Sequence, residues 1–389
     1  MEEFYPFFLI IFVGVFFSMV FRRMHFPWVV GLIFGGMIIG PHALNILEIT
    51  PVAEFLGQIG LVFLMFMAGL ETKFSNFRNF RGGLIWLSFI NGAVPFAVGV
   101  SLAILFGYGW VVALLVGIIF ISSSIAVVIP SLERFELIHT RLGQSVIMTT
   151  VLQDIASLVL LSLVLQSVSP VTKLPLYIFY PLVAGTLVLM RFLIPKVTVY
   201  LENAASQTKD LFQQQFRITF LILVGTVIAF ELLGLHPITA GFFAGLILSD
   251  SITSTVLKDK IRTISYGVFI PFFFIIVGAQ LNIGVLLESR GALLLAVAIV
   301  LGSILSKFLS GWIGAKIVGF NTDQSLLFAI TSIPQLSTTL AVAFTALSLG
   351  LLDQKLVTAM ITLSVVTVIV SPTLMNLLGK RIKESIPAN

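Results

Sequence analysis

The stretches PWVVGLIFG (residues 27–35) and PITAGFFAG (residues 237–245) share the pattern P-x3-G-x3-G at an offset of 210 residues. A second pair follows in the same order, because FLMFMAGLE (63–71) resembles FFFIIVGAQ (272–280) at an offset of 209 residues. The pattern P-x3-G-x3-G is by itself ordinary chemistry for closely packed helices. Two ordered matches at nearly the same offset favour an internal repeat instead.

The composition predicts an all-α polytopic membrane protein in a lipid bilayer. Of 389 residues, 58% are hydrophobic and 10% are charged, against about 25% charged in soluble domains. Only helices and closed barrels satisfy their backbone in lipid, and the apolar runs are longer than a barrel strand of about 10 residues. The pI of about 9.5 is explained by basic loops, with no nucleic-acid partner. No cysteine, metal-ligand spacing or phosphate-binding loop is present, so neither an enzyme nor a cofactor is expected.

The whole chain, residues 1–389, reads as one membrane transport domain. Short connections separate about thirteen apolar segments: 4–21, 27–40, 53–70, 83–107, 109–132, 142–167, 174–200, 212–234, 237–249, 263–281, 290–318, 323–350 and 354–379. Segments 2 and 3 match segments 9 and 10, and an odd separation of seven segments predicts opposite orientations. We expect inverted repeats over 1–167 (segments 1–6) and 212–379 (segments 8–13), joined by a linker helix at 174–200. Inverted repeats are typical of secondary transporters.

Loop charges predict the orientation of the chain. With the N-terminus outside, the cytoplasmic connections and segment ends hold 18 basic residues and the outer ones hold 3. Basic residues are enriched in cytoplasmic loops, so we expect a multi-pass protein of a prokaryotic inner (plasma) membrane with a cytoplasmic C-terminus.

Two charged residues lie inside apolar segments and not in the loops. Asp154 lies near the middle of segment 142–167, and Lys307 lies in the middle of segment 290–318. A charge at the bilayer centre costs about 2.5–3.5 kcal/mol on insertion scales, and such residues are usually functional. Asp154 is therefore the candidate ligand for a proton or a monovalent metal cation, and Lys307 its charge partner. The alternatives are a buried pair that only joins two helices, and a Lys307 that reaches an interface.

Further oxygen ligands are expected close to Asp154. Gln153 offers a side-chain carbonyl, and Thr149 and Thr150 lie one helical turn earlier. Hard cations bind several oxygen atoms. The two threonines can equally donate to their own helix backbone, which would leave them structural.

Two polar, proline-bearing segments predict discontinuous helices. Segment 5 contains Ser122, Ser123, Ser124 and Pro130, and segment 12 contains Pro334, Gln335, Ser337, Thr338 and Thr339. The repeat pairs these two segments. Broken helices at mid-membrane depth present free amides, free carbonyls and helix dipoles to an ion. We expect Ser123, Ser124 and Thr338 to contribute ligands; the alternative is a kinked but continuous helix.

These motifs together resemble the monovalent cation:proton antiporter-2 superfamily. The resemblance covers essentially the whole chain through HFPWVVGLIFGGMIIGP, GLVFLMFMAGLE, SSSIAVVIPSLE, LQDIASLVLL, LSKFLSGWIGAK and the IPQLS turn. The Gln-Asp pair most resembles the Kef-type potassium/proton branch, and the membrane domain is similar to that of NapA-like sodium/proton antiporters. The turn after Pro334 departs from the family, which often carries Arg or Glu where this chain has Gln335.

The resemblance implies an NhaA-like antiporter fold in which two discontinuous helices cross. It implies a moving core (segments about 83–167 and 290–379), dimerisation segments (about 4–70 and 212–281), an elevator-like movement and a homodimer. The Kef branch usually continues into a cytoplasmic nucleotide-binding domain, so such regulation is expected to be missing here or to lie in a separate cytoplasmic subunit.

The resemblance makes Asp154 the ion-binding carboxylate in exchange of K⁺ or Na⁺ for H⁺. A protonated Asp154 and a cation-bound Asp154 are both neutral, whereas the bare carboxylate crosses lipid only at high cost. We therefore expect alternating access with 1:1, electroneutral exchange, provided that Lys307 keeps its charge. Sodium-coupled symport of an organic anion, a cation channel and an ion sensor are alternatives on the same fold.

Overall fold

The computed structural model describes residues 4–24, 27–72, 82–138, 140–168, 175–205, 211–249, 252, 255–287 and 289–385. Every regular element in these residues is helical. Nine of the described helical stretches are long and apolar enough to cross a membrane, and three shorter apolar helices accompany them. The predicted all-α polytopic fold is confirmed, and the count of thirteen membrane helices stays a prediction.

The described helices divide into those before the predicted linker and those from the linker helix onward. The first part holds α1 (Phe4–Arg23), α2 (Trp28–Ile39), α3 (Pro51–Glu71), α4 (Gly82–Leu105), α5 (Trp110–Ile121), α6 (Ile125–Arg134) and α7 (Arg141–Val168). The second part holds α8 (Leu176–Ala205), α9 (Leu211–Leu232), α10 (Pro237–Ser249), α11 (Thr255–Ile264), a π-helical turn (Ser265–Phe269), α12 (Ile270–Ala279), α13 (Ile283–Leu287), α14 (Arg290–Ile317), α15 (Thr322–Ser332), α16 (Ser337–Ser348) and α17 (Gln354–Ser385).

Both discontinuous helices predicted from the sequence are present. The first is interrupted at residues 122–124, where Ser122 (φ −66°, ψ 154°) and Ser124 (φ −96°, ψ 108°) are extended between α5 and α6. The second is interrupted between α15 and α16, where Leu336 has φ −147° and ψ −79°. Extended residues end the helical hydrogen-bond ladder. Each break therefore frees carbonyls on one side and amides on the other.

Local sequence fixes where α14 and α15 begin. The Ser289 hydroxyl accepts a hydrogen bond from the Ala292 amide at 3.1 Å at the start of α14. At the start of α15, Asn321 and Gln324 form a reciprocal capping box, with the Gln324 amide donating to Asn321 Oδ1 at 2.8 Å. Gly319 adopts φ +92° between the two helices, a conformation that glycine adopts without a steric penalty. These caps set the register of the helix that precedes the second break.

Glycines of the two repeats make equivalent close contacts. A Cβ on Gly69 would lie 2.1 Å from the carbonyl oxygen of Phe242, and a Cβ on Gly278 would lie 2.0 Å from the carbonyl oxygen of Ile33. Gly278 follows Gly69 by the 209 residues of the second sequence match, and Phe242 directly precedes Phe243, which follows Ile33 by the 210 residues of the first match. Small residues at these positions let helix backbones approach closely. The repeat is thus visible in the packing as well as in the sequence.

The described chain divides by its contacts into two compact units. One consists of Met1–Phe12, Ile49–Arg78 and Leu165–Ile276, and the other of Val13–Glu48, Asn79–Val164 and Val277–Asn389. The second unit holds every residue predicted for the site. The assignment of core and dimerisation segments stays a prediction, and residues 13–48, predicted to serve dimerisation, belong to the unit that carries the site.

Burial differs sharply between the linker helix and the second discontinuous helix. In the most apolar 18 residues of Tyr177–Val197 in α8, 17% are buried, whereas 94% are buried in the corresponding part of Thr322–Ser348. In lipid, an exposed apolar surface needs no protein partner. The breaks therefore lie in protein, while α8 presents its side chains outward. Five of the basic residues from which the orientation is predicted lie outside the described residues: Lys73, Arg78, Arg81, Lys173 and Lys209.

Candidate functional site

Asp154 lies on α7 and is 2% exposed. Its Oδ1 atom accepts a hydrogen bond of 3.0 Å from the hydroxyl of Thr338, which is the second residue of α16. The amino end of a helix carries a partial positive charge and favours a nearby anion. The carboxylate predicted to carry the ion therefore meets the start of the helix that follows the second break.

The two breaks cross in direct contact. The Ser124 amide donates to the Pro334 carbonyl at 2.7 Å, and Ser122 Oγ and Thr339 Oγ1 are hydrogen-bonded at 3.1 Å. Ser123 Oγ lies 2.9 Å from the carbonyl oxygen of Ser332, which ends α15. Ser124 and Pro334 are separated by the 210 residues of the repeat offset. Equivalent positions of the two repeats therefore meet where the broken helices cross.

Lys307 is 0% exposed and reaches this crossing from α14. Its ammonium donates to the backbone carbonyl of Ile121, to Ser123 Oγ at 3.1 Å and to Gln153 Oε1 at 2.9 Å. These contacts use its three donor positions. Ile121 is the last residue of α5, and the carboxyl end of a helix carries a partial negative charge. Each buried charge of the site thus meets a helix end of opposite polarity.

Asp154 and Lys307 do not form a direct ion pair, although both belong to the described part of the chain. Gln153 and Ser123 hold the ammonium, and Thr338 holds the carboxylate. Lys307 stays the predicted charge partner of Asp154, because the two charges interact electrostatically without a hydrogen bond between them. The side-chain oxygen of Gln153, predicted as a cation ligand, is bonded to the ammonium instead.

The structure also shows the surroundings of the other predicted site residues. Thr149 accepts from Ser88 at 3.2 Å, and Thr150 donates to its own helix at the Val146 carbonyl at 3.0 Å. The second arrangement is the structural alternative named above. Ser337 is the first residue of α16, and Pro130 falls inside α6, six positions after the first break. Pro334 lies within the second break, so of the two prolines only this one stands where a helix is interrupted.

Three polar residues near Lys307 were missed in the sequence. The carbonyl of Lys307 accepts from Ser332 at 3.2 Å and from Ser310 at 3.3 Å. The Ser310 hydroxyl also lies 2.9 Å from Asn91 Oδ1 on α4. Ser310 lies one turn after Lys307 on the same helical face, and Asn91 is a lone amide in the apolar segment 83–107. The spacing of Ser310 from Lys307 and the isolated amide of Asn91 were the signals available in the sequence.

The arrangement suits a cation that exchanges with a proton. Carboxylate, hydroxyl and carbonyl oxygens are the ligands preferred by hard cations, and Asp154 is the described acid at their centre. Burial disfavours the charged form of a carboxyl group that has no partner. A carboxyl group at this position can accept either a cation or a proton.

Thr338→Val tests the hydrogen bond to Asp154. The variant keeps the shape of the side chain and removes the donor, and a hydrogen bond to a charged group is worth about 1.5–3 kcal/mol. We expect an increase of about tenfold or more in the Na⁺ or K⁺ concentration for half-maximal thermal stabilisation of the detergent-purified protein. Melting curves at increasing cation concentration measure it. Thr358→Val removes a buried hydroxyl without a hydrogen-bond partner on α17 and should leave the value unchanged; equal values for both variants would contradict the assigned bond.

Several known proteins are similar to this chain in sequence or in fold. Residues 8–378 match the family described as "Sodium/hydrogen exchanger, transmembrane". The chain is 29% identical over 375 residues to "Probable Na(+)/H(+) antiporter 3" of Methanocaldococcus jannaschii, and the match covers 95% of each chain. The structure is similar to that of the sodium proton antiporter MjNhaP1 from Methanocaldococcus jannaschii, with a TM-score of 0.69, 17% identity and coverage of 98% of this chain and 100% of that one.

A further relative is a Kef protein, the type that the Gln-Asp pair resembles. The chain is 28% identical over 317 residues to the "Glutathione-regulated potassium-efflux system protein KefC" of Escherichia coli. The match covers 79% of this chain and 49% of KefC, so this chain spans about half the length of that relative. The family match extends over most of the sequence. The chain therefore belongs to the sodium/hydrogen exchanger family of membrane proteins, as its motifs predicted.

Proposed function

We propose that this protein exchanges K⁺ or Na⁺ for H⁺ across the plasma membrane of a prokaryote, with Asp154 binding the cation and the proton in turn. The observation that carries the proposal is the position of Asp154, buried at the crossing of two broken helices and bonded to Thr338. The family and the antiporters similar to this chain support cation/proton exchange.

The exchange follows from the charge of the site. With a proton or a monovalent cation bound, Asp154 contributes no net charge, and the site changes its access at low electrostatic cost. With neither bound, the carboxylate would have to move as an unpaired charge, which is costly in a bilayer. Alternating access is therefore restricted to the two occupied forms, and a cation moving one way returns a proton the other way.

Proteoliposomes test the exchange directly. Purified protein is reconstituted with an internal pH-sensitive dye, and Na⁺, K⁺, Li⁺ or Rb⁺ is added outside against a choline control of equal ionic strength. We expect proton movement that depends on protein and on at least one of these cations. Liposomes whose internal pH does not respond to any of the four ions would refute the proposal.

Exchange at one carboxylate is expected to be electroneutral. Lys307 donates three hydrogen bonds, which favours a charge that stays fixed through the cycle. Na⁺ addition should then change the internal pH without generating a membrane potential. A potential-sensitive dye in the same liposomes measures this, with a protonophore as the reference for charge movement. A potential that appears with the pH change would mean that Lys307 also releases its proton.

We also propose a homodimer with the N-terminus outside and the C-terminus in the cytoplasm. The charge asymmetry of the loops supports the orientation, and the resemblance to the antiporter superfamily supports the dimer. Mass photometry of the protein in detergent tests the dimer. A single cysteine placed at each end of this cysteine-free chain, labelled with an impermeant reagent, tests the orientation.

A further inference from the structure

Gln335 has a buried side-chain oxygen that no group in the described residues satisfies. The residue is 0% exposed, and its Oε1 atom has no hydrogen-bond partner. An unsatisfied buried acceptor costs about 1–3 kcal/mol. Such an atom in a native site calls for an explanation, and an ion that binds there part of the time is one.

The orientation of the Gln335 amide is fixed by its neighbours. Its Nε2 atom donates to the carbonyl of Phe120 at 3.2 Å, and its backbone amide donates to Thr367 Oγ1 at 3.1 Å. A carbonyl only accepts hydrogen bonds, so the amino group must face Phe120. The oxygen atom therefore points away from Phe120, and exchanging the two ends of the amide would remove that bond.

A second unsatisfied oxygen belongs to Ser124 in the first break, which contacts the residue before Gln335. Ser124 is 1% exposed, and its Oγ atom also has no hydrogen-bond partner. The backbone amide of Ser124 donates to the carbonyl of Pro334 at 2.7 Å, and Pro334 directly precedes Gln335. Both unsatisfied oxygens thus belong to the contact where the two breaks cross.

These oxygens belong to the same site as Asp154. Gln335 precedes Thr338 by three residues, and Thr338 donates to the Asp154 carboxylate at 3.0 Å. The amide oxygen of Gln153 is taken up by the Lys307 ammonium, and its Nε2 atom, which has no hydrogen-bond partner, is a donor. The amide oxygen of Gln335, unlike that of Gln153, contacts no other charge and is therefore available to a cation at this crossing.

We propose that the Gln335 carbonyl and the Ser124 hydroxyl bind the dehydrated monovalent cation beside Asp154, and that Gln335 sets the choice between Na⁺ and K⁺. The inference rests on the proposed function of Asp154. A neutral amide oxygen adds a ligand without changing the charge of the cation-bound site. Selectivity among monovalent cations depends on the number and strength of such ligands and on cavity size. Removal of one ligand should therefore change the ratio of affinities and not only their level.

Gln335→Met tests the proposal because methionine is similar in length and lacks the carbonyl. The affinities of Na⁺, K⁺ and Li⁺ are measured twice, as half-maximal concentrations for transport and as thermal stabilisation of the detergent-purified protein. We expect a rise of about tenfold for the preferred cation and a changed Na⁺/K⁺ ratio. Thr345→Val is the matched control, because it removes a buried hydroxyl without a hydrogen-bond partner from α16, the helix that follows Gln335.

The outcomes separate this inference from the proposed function. Gln335→Met protein that transports with unchanged affinities and an unchanged ratio would overturn the inference alone. Wild-type protein without cation-dependent proton movement would overturn the proposed function. If Gln335→Met does not fold, Ser124→Ala decides: a rise of several-fold in the half-maximal cation concentration supports the cation site, and a value equal to that of wild type removes it.

Discussion

Asp154→Asn protein is expected to fold and to show no cation-dependent proton movement. Asparagine has the size of aspartate and keeps an oxygen that accepts the Thr338 hydrogen bond. It neither releases a proton near neutral pH nor neutralises a cation. The variant should therefore lose transport to the level of protein-free liposomes, a loss of at least about a hundredfold, because no other described acid lies at the crossing of the broken helices.

The measurement is the pH-dye assay in proteoliposomes, with equal reconstitution checked by gel. Asp259→Asn is the matched control, since Asp259 lies on α11, outside the compact unit that carries the site. The control should transport at the wild-type rate. Residual exchange by Asp154→Asn above a few per cent of wild type would show that another group carries the proton.

Gly69→Ala and Gly278→Ala are expected to destabilise the protein strongly. The added Cβ would lie 2.1 Å from the Phe242 oxygen in the first variant and 2.0 Å from the Ile33 oxygen in the second. Both neighbours are backbone atoms, so helices must move apart. Overpacking of this kind costs typically about 1–3 kcal/mol and sometimes more. We expect a lower melting temperature, by several degrees, and a reduced yield of monodisperse protein.

Thermal unfolding in detergent, followed by size-exclusion chromatography, measures the effect. Gly225→Ala is the control, because a Cβ on this helical glycine would meet nothing within 4 Å. Alanine is favoured over glycine in a helix by roughly 1 kcal/mol, so the control should be as stable as wild type or slightly more stable. Equal melting temperatures for all three variants would contradict the close helix contacts.

Much of the fold could be predicted from the sequence because lipid restricts the backbone to few solutions. Apolar runs give the helices, and the glycines at matching offsets give the repeat. The exact ends of the broken helices were harder. Pro130 and Pro334 both suggested a break, yet α6 continues through Pro130. The first discontinuous helix is interrupted at serines 122–124 instead, and no strong sequence pattern predicts that a serine is extended.

The charged site residues and several polar residues around them were also predictable, but which side chain bonds to which was not. Asp154 and Lys307 stand out because a charge in a mid-membrane segment is rare. Lys307 was predicted as the charge partner of Asp154 from its depth in the segment, its opposite charge and the family resemblance, and the structure adds that Gln153 and Ser123 contact its ammonium. Contacts across distant segments depend on helix rotation and depth, which hydrophobic periodicity does not determine. The same limit hid Asn91 and Ser310, whose roles depend on a contact between α4 and α14.

The paired glycine contacts repeat within one chain a rule known from symmetric assemblies. Gly69 of the first repeat meets Phe242 of the second, and Gly278 of the second meets Ile33 of the first. Phe242 directly precedes Phe243, the counterpart of Ile33 in the repeat. Reciprocal contacts of this kind are typical of an isologous interface, as in a two-fold homodimer. An internal repeat can thus supply within one polypeptide the kind of contact that a homodimer obtains from two copies.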